Sequence, residues 1–278
     1  MKIDHISTVY FSPTRTTKKI VNEISVHIAD RLGIERDEIS ITTPKDRKDS
    51  LKFKARELVI IGVPVYAGRV PNLLVPYLKN LEGNGAICVP IVVFGNRSFG
   101  DALYEHRDIM ENDGFHCIAA GAFVAEHSFS SEIATGRPDL QDMQICSTFS
   151  NTILEKIKNT ANIEDIMPLD IPGKSETERK YFVPKNPRNG KKLNFIKIKP
   201  ETSETCTDCG ICARICPTGA INPKNPRKII GPCIKCNACV KFCPSHSKSF
   251  LEQDYIIHVQ DIINTCNSLG YSKPKYFV

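Results

Sequence analysis

The sequence predicts an α/β protein in two parts: a doubly wound, parallel five-stranded sheet, then a small α+β domain built around cysteines. Two observations predict this. Strand-like apolar runs alternate with helix-like segments over roughly the first 160 residues, the pattern of an open parallel sheet covered on both faces. Eight of the twelve cysteines then fall between 206 and 243, in two copies of one spacing, CTDCGICARICP at 206–217 and CIKCNACVKFCP at 233–244.

Taken in order, HISTVYF at 5–11 is β-branched and aromatic, and the stretch after Arg15 carries Ile20, Val21, Ile24, Ile28 and Leu32 at helical spacing. Further strand candidates are ISIT (39–42), LVIIGVPV (58–65), AICVPIVVFG (86–95) and CIAAGAFVA (117–125). Helices are expected around 71–81, 100–113 and 138–159, with a final apolar stripe from Tyr255 to Leu269 ending at Gly270 and packing on the cysteine domain. Between the two parts KSETERKYFVPKNPRNGKK reads as a solvated linker. The expected boundaries are 1–165 for the sheet domain, 166–195 for the linker, 196–250 for the cysteine domain and 251–278 for the C-terminal helix and tail.

Each cysteine copy reads CxxCxxCxxxCP, the run that gives three thiolates to one [4Fe–4S] cluster and the fourth to another. Cys206, Cys209, Cys212 and Cys243 are therefore expected to hold one cluster, and Cys233, Cys236, Cys239 and Cys216 the second. A zinc site needs four ligands and no third evenly spaced cysteine; a disulfide framework is not expected in a chain that opens with no secretory signal. The two copies repeat at 27 residues, which predicts two halves about a pseudo-two-fold axis, with Gly210 and Asn237 at equivalent turns that tolerate positive φ. Cys88 and Cys117 sit in strand runs and read as small buried hydrophobes.

In open parallel sheets ligands bind beyond the carboxyl ends of the strands. The first strand is followed by Ser12-Pro13-Thr14-Arg15-Thr16-Thr17 at a helix start, where hydroxyls and free amides make a phosphate cradle; one such hydroxyl is equally an ordinary helix cap. The third strand ends in Pro64-Val65-Tyr66-Ala67-Gly68-Arg69 and the fourth in Gly95-Asn96-Arg97-Ser98-Phe99-Gly100-Asp101. Each offers a ring, flexible backbone and an arginine, which suits a planar ligand such as a flavin ring. The fifth ends in Glu126-His127-Ser128. Singly, each is also a plain loop residue; their coincidence at four strand ends is the signal.

On these residues the first 160 positions resemble a flavodoxin-like domain, and the whole chain is similar to fused flavodoxin-like and 2[4Fe–4S] ferredoxin electron-transfer proteins of anaerobic bacteria and archaea. The resemblance implies two [4Fe–4S] clusters and one FMN, its phosphate on Ser12, Thr14, Thr16 and Thr17, its ring between the Tyr66 and Gly95-Asn96-Arg97 loops. Flavodoxins usually carry glycine where this chain has Arg15; the reading preferred here is an ordinary backbone with the guanidinium forked onto the phosphate.

The formal charge of +6 is then largely offset by clusters and phosphate, so nucleic acid is not expected as a partner. No apolar stretch approaches the ~20 residues of a membrane helix, so neither is a membrane. The expected function is an electron relay in a reducing cytoplasm, between unidentified redox partner proteins, with a homodimer left open. Alternatives are a flavin-dependent reductase of a quinone or nitro compound, and an iron–sulfur sensor or binding protein.

Overall fold

The computed structural model describes all 278 residues. Strands β1 (His5–Tyr10), β2 (Arg36–Ser40), β3 (Glu57–Pro64), β4 (Ile87–Phe94), β5 (His116–Cys117) and β6 (Ala120–Val124) alternate with helices α1 (Thr16–Leu32), α2 (Val75–Leu78), α3 (Ala102–Asn112) and α4 (Leu140–Asn159). The parallel order is β2-β1-β3-β4-β6, with β5 a short extra pairing on β4. Taken in chain order this is the 2-1-3-4-5 arrangement of flavodoxin-like sheets, with the switch in strand order between β1 and β3.

Both faces are covered, which is why the strands read as unbroken apolar runs. Alternate residues of β3 go to opposite sides: Leu58 and Ile60 pack with Ile20, Ile24, Ile28, Phe149 and Ile153 of α1 and α4, whereas Val59, Ile61 and Val63 meet Leu74, Leu78, Leu103 and Met110 of α2, α3 and the segment before α2. α1 stops at Gly33, whose φ of 64° lets its amide reach the Ala29 carbonyl. α4 starts on Asp139, which accepts from the amides of Gln141 and Asp142.

After the 166–200 segment come β7 (Glu201–Thr202), α5 (Ile211–Arg214), α6 (Ala238–Lys241), β8 (Lys248–Ser249), α7 (Gln253–Leu269) and β9 (Lys275–Phe277). β7 and β8 pair antiparallel, closing the cysteine segment on itself. The chain then returns. β9 adds to β6 as an antiparallel edge strand, extending the sheet beyond the five strands the sequence predicts.

Two further differences from expectation bear on the sites. α7 packs on both parts: Ile262, Ile263 and Cys266 lie against Ile133 and Phe129 of the sheet domain, and Tyr255 against Ile198, Phe250 and Val240. The charged 166–195 segment is mostly exposed, as expected of a solvated linker, but it is pinned as a strap by Leu169 and Ile171 in the main core, Arg179 buried in an ion pair with Asp108, and the Phe182 amide donating to the Ala67 carbonyl at 2.8 Å. No helix is long and apolar enough to cross a membrane.

Candidate cofactor sites

The cysteine segment repeats its backbone as well as its sequence. Left-handed residues recur 27 apart as Asp208 and Lys235, Gly210 and Asn237, and Gly219 and His246, and α5 and α6 are equivalent four-residue turns. These bends turn amides onto sulfur: Ala220 N to Cys216 Sγ at 3.3 Å and Ser247 N to Cys243 Sγ at 3.3 Å, again 27 apart. Hydroxyls follow the same rule, Thr218 beside Cys216 at 3.4 Å and Ser245 beside Cys243 at 3.6 Å. Such donors stabilise sulfur-borne negative charge and tune a bound cluster.

Two cavities lie in this segment, and each is lined by four cysteines. Cys206, Cys209, Cys212 and Cys243 border one, the outer set; Cys216, Cys233, Cys236 and Cys239 border the other, the inner set. This is the crossed three-plus-one grouping that the spacing predicts. Cys209 is exposed, whereas Cys236 and Cys239 are buried among Ala220, Ile221, Ala238 and Phe250. Burial pushes the Cys236 thiol well up and Cys239 to about 12, so thiolates there need a cationic metal core beside them. The residues present fit clusters.

At the carboxyl ends of β1, β3, β4 and β6 lies a cavity of about 690 Å³, within the range of small-molecule sites. Of the residues singled out from the sequence, Thr14, Thr16, Pro64, Val65, Tyr66, Ala67, Gly68, Gly95, Arg97, Asp101 and His127 line it. The amides of Thr14, Thr16 and Thr17 donate to no other protein group, leaving the start of α1 with the free donors an anion requires. The ring loops touch through glycines: a side chain on Gly100 would meet the Gly68 carbonyl oxygen at 2.6 Å, and one on Gly95 would strike the His127 ring at 2.3 Å.

Five of the expected residues do other work. Ser12 Oγ accepts from the Lys18 amide at 3.0 Å and so caps α1 itself. Thr17 is buried against the sheet near Gly62. Phe99 packs on Phe94, with ring centroids 5.5 Å apart. Asn96 anchors the tail, donating to the Gly270 carbonyl at 2.9 Å and accepting from the Ser272 amide at 2.8 Å. Arg15 corrects the reading made of it: its φ is 69°, the left-handed backbone that glycine would take at no cost, and its guanidinium stacks 4.4 Å over the Phe242 ring. That contact ties the phosphate-type loop to the residue before Cys243.

About a third of the large cavity's wall, nine of its 28 lining residues, comes from outside the sheet domain, and no strand-end pattern could have found it. The strap contributes Lys180, Tyr181 and Phe182, and α7 contributes His258 and Ile262. The Arg97 guanidinium lies 4.2 Å over Phe182. Phe195 meets His258 edge-on at 4.9 Å. His127 and His258 are both pushed down to about pKa 4, by burial first, then for His127 by the neighbouring His258 ahead of Arg97 and for His258 by Arg97. His258 Nδ1 is buried with no hydrogen-bond partner, a polar atom left over for a ligand.

One residue belongs to two of these cavities. Ile234, between Cys233 and Cys236, lines both the inner cysteine cavity and the large one. Tyr66 stands beside it: its phenol is pushed well above the ordinary value by burial and by the neighbouring Cys236 and Cys233. The docking is held by Arg47 donating to the Pro217 carbonyl at 2.7 Å and Lys241 pairing with Glu126 at 2.7 Å.

Residues 205–247 match a family model described as a 4Fe-4S dicluster domain. The carboxyl-terminal module is an iron–sulfur module. No curated protein sequence matches the chain. Among solved structures, a flavodoxin from the domain Archaea is 17% identical, covers 56% of this chain and 99% of its own, and has a TM-score of 0.39. An apo-form NADH:FMN oxidoreductase is 16% identical with 59% and 94% covered and a TM-score of 0.41. A Fusobacterium nucleatum flavodoxin bound to flavin mononucleotide is 15% identical with 56% and 96% covered and a TM-score of 0.37. The assignment of the sheet domain rests on its own strand order. The chain thus joins a flavodoxin-like domain to a ferredoxin-type 4Fe–4S module, and its role is redox.

Proposed function

We propose that the protein relays single electrons between two [4Fe–4S] clusters, held by the outer and inner cysteine sets, and an FMN in the large cavity. The observation that carries this reading is the shared wall: Ile234 borders both the inner cysteine cavity and the large one. A cluster in the inner set would then be the flavin's immediate neighbour within one chain. When bound, the clusters supply one-electron chemistry and the flavin one- or two-electron chemistry.

The protein's own residues bind, orient and exclude water. Thr14, Thr16 and the free amides at the start of α1 suit the phosphate. The 64–68 and 95–97 loops suit the ring, Phe182 and His258 close it from outside, and the two neutral imidazoles supply hydrogen-bonding nitrogens without added charge. Cys209 is exposed, so a redox partner protein would approach from the outer set. A second reading, reduction of a small planar acceptor at the same cavity, is favoured by the aromatic wall of Phe182, Phe195 and His258.

Stopped-flow reduction of the flavin by reduced ferredoxin, NADH or NADPH tests both, in wild type and Cys209→Ser. The relay requires rapid reduction by ferredoxin that slows in the variant while FMN stays bound. Equal rates in the two proteins refute it. Rapid reduction by a nicotinamide with turnover of a quinone supports the second reading instead.

A further inference from the structure

We propose that Lys248 is a fixed, buried cation that raises the reduction potential of the cluster in the outer cysteine set above that of its pseudo-symmetric twin. The inference rests on the reading of both cysteine sets as cluster sites. The repeat that matches bends, helices and sulfur contacts at a 27-residue offset breaks where Ile221 corresponds to Lys248. Ile221 lines the inner cysteine cavity and Lys248 the outer one.

Lys248 is only 3% exposed. Its Nζ donates to Thr202 Oγ1 at 2.5 Å and to the Pro226 carbonyl at 2.6 Å, both neutral acceptors. Every other buried cation of the chain has a carboxylate: Arg69 has Glu105 and Arg179 has Asp108. A buried ammonium without a counter-anion is costly, and the anionic group beside this one is the thiolate set. A cation at such a site stabilises the form that has gained an electron, because net charge and nearby dipoles set cluster potentials. Both clusters feel it; the one whose cavity it lines feels it more.

The test is an anaerobic potentiometric titration followed by electron paramagnetic resonance, in wild type, Lys248→Met and Lys248→Arg. Cys209→Ser assigns the outer cluster's signal, and an iron and sulfide assay precedes every titration. Lys248→Met should lower the outer cluster's reduction constant about tenfold, ~59 mV for one electron, and the inner one's less. Lys248→Arg should return it to within about threefold of wild type. Unchanged potentials in a fully loaded Lys248→Met, or no recovery with arginine, overturn the proposal. If Lys248→Met takes up no cluster, the wild type decides: the outer cluster must have the higher potential, and the reverse order or equality refutes the idea. Zinc without sulfide would sink the cluster reading itself, a result distinct from either.

Discussion

Replacing Gly100 with alanine should open the large cavity, because that residue sets how closely the two ring loops approach. A methyl group there would lie 2.6 Å from the Gly68 carbonyl oxygen and 2.9 Å from its Cα, both rigid backbone atoms. The carbonyl cannot swing aside freely, since it accepts from the Asp101 amide at 3.0 Å. Overpacking of this kind costs about 1–3 kcal/mol. The residue also has a φ of 52°, and holding alanine in that left-handed region costs roughly 1–2 kcal/mol more. Relief comes from separating the loops, so most of the steric part should appear as lost affinity for FMN, at least tenfold for about 1.4 kcal/mol. Gly85 is the control: its φ is 78° with nothing within 4 Å of an added methyl group, and it precedes β4 at the opposite end of the sheet from the cavity. Gly85→Ala should lower the melting temperature through strain alone and leave FMN affinity unchanged. Quenching of FMN fluorescence and thermal melts, run on both variants, decide the matter. Equal FMN affinity in Gly100→Ala and Gly85→Ala would refute the steric argument.

Three further outcomes follow. Anaerobically purified protein should contain about eight iron and eight sulfide per chain, from two four-thiolate sites; half that content would leave one cysteine set without a cluster. Asn96→Ala removes two hydrogen bonds to the tail, about 1–3 kcal/mol together, and hydrogen exchange should quicken over 270–277 before it does in β4. His127 and His258 have folded values near 4 against an ordinary 6.5, so the unfolded chain binds more protons between those limits. Stability from each is therefore complete above about pH 6.5 and is lost as pH falls towards 4, at up to ~1.4 kcal/mol per pH unit; His258→Gln should flatten that slope in urea unfolding curves, and an unchanged slope counts against the assignment.

The sheet was legible because both of its faces are covered, so β3 and β4 announce themselves as apolar runs that no solvent-facing residue interrupts. The grouping of the eight cysteines into two sets of four was legible because a spacing suited to metal geometry shows in the sequence whatever surrounds it. β9 was not: three residues, KYF, carry no periodicity, and long-range contacts bring them to the edge of β6, Asn96 reaching Gly270 and Ser272, Arg137 donating to the Ser272 carbonyl and Tyr276 packing on Phe149. The strap was hidden by its own composition. Its charges read as solvated and most are, yet Arg179 is buried against Asp108 on α3, a pair that no local pattern reveals. Asn96 is a related case: its side chain holds the chain's own tail, and a polar residue at a strand end looks the same whether it does that or holds a ligand.

The relation between the two modules was hidden most completely, and it is also what the proposed relay depends on. Within CIKC the spacing fixes the cysteines and the Lys235 amide donates to Cys233 Sγ, but the Ile234 side chain is left free of cluster chemistry. Ile234 is therefore set by what it packs against, which is the Tyr66 side of the flavodoxin-like domain. Arg15 is the same case seen from the other module: a left-handed backbone position that glycine would fill without strain carries instead a side chain that reaches Phe242. Both positions look indifferent to their own module's chemistry. Each makes sense as a contact between modules, so residues that a cofactor motif leaves unconstrained, on either side, are where an interface of this kind is written.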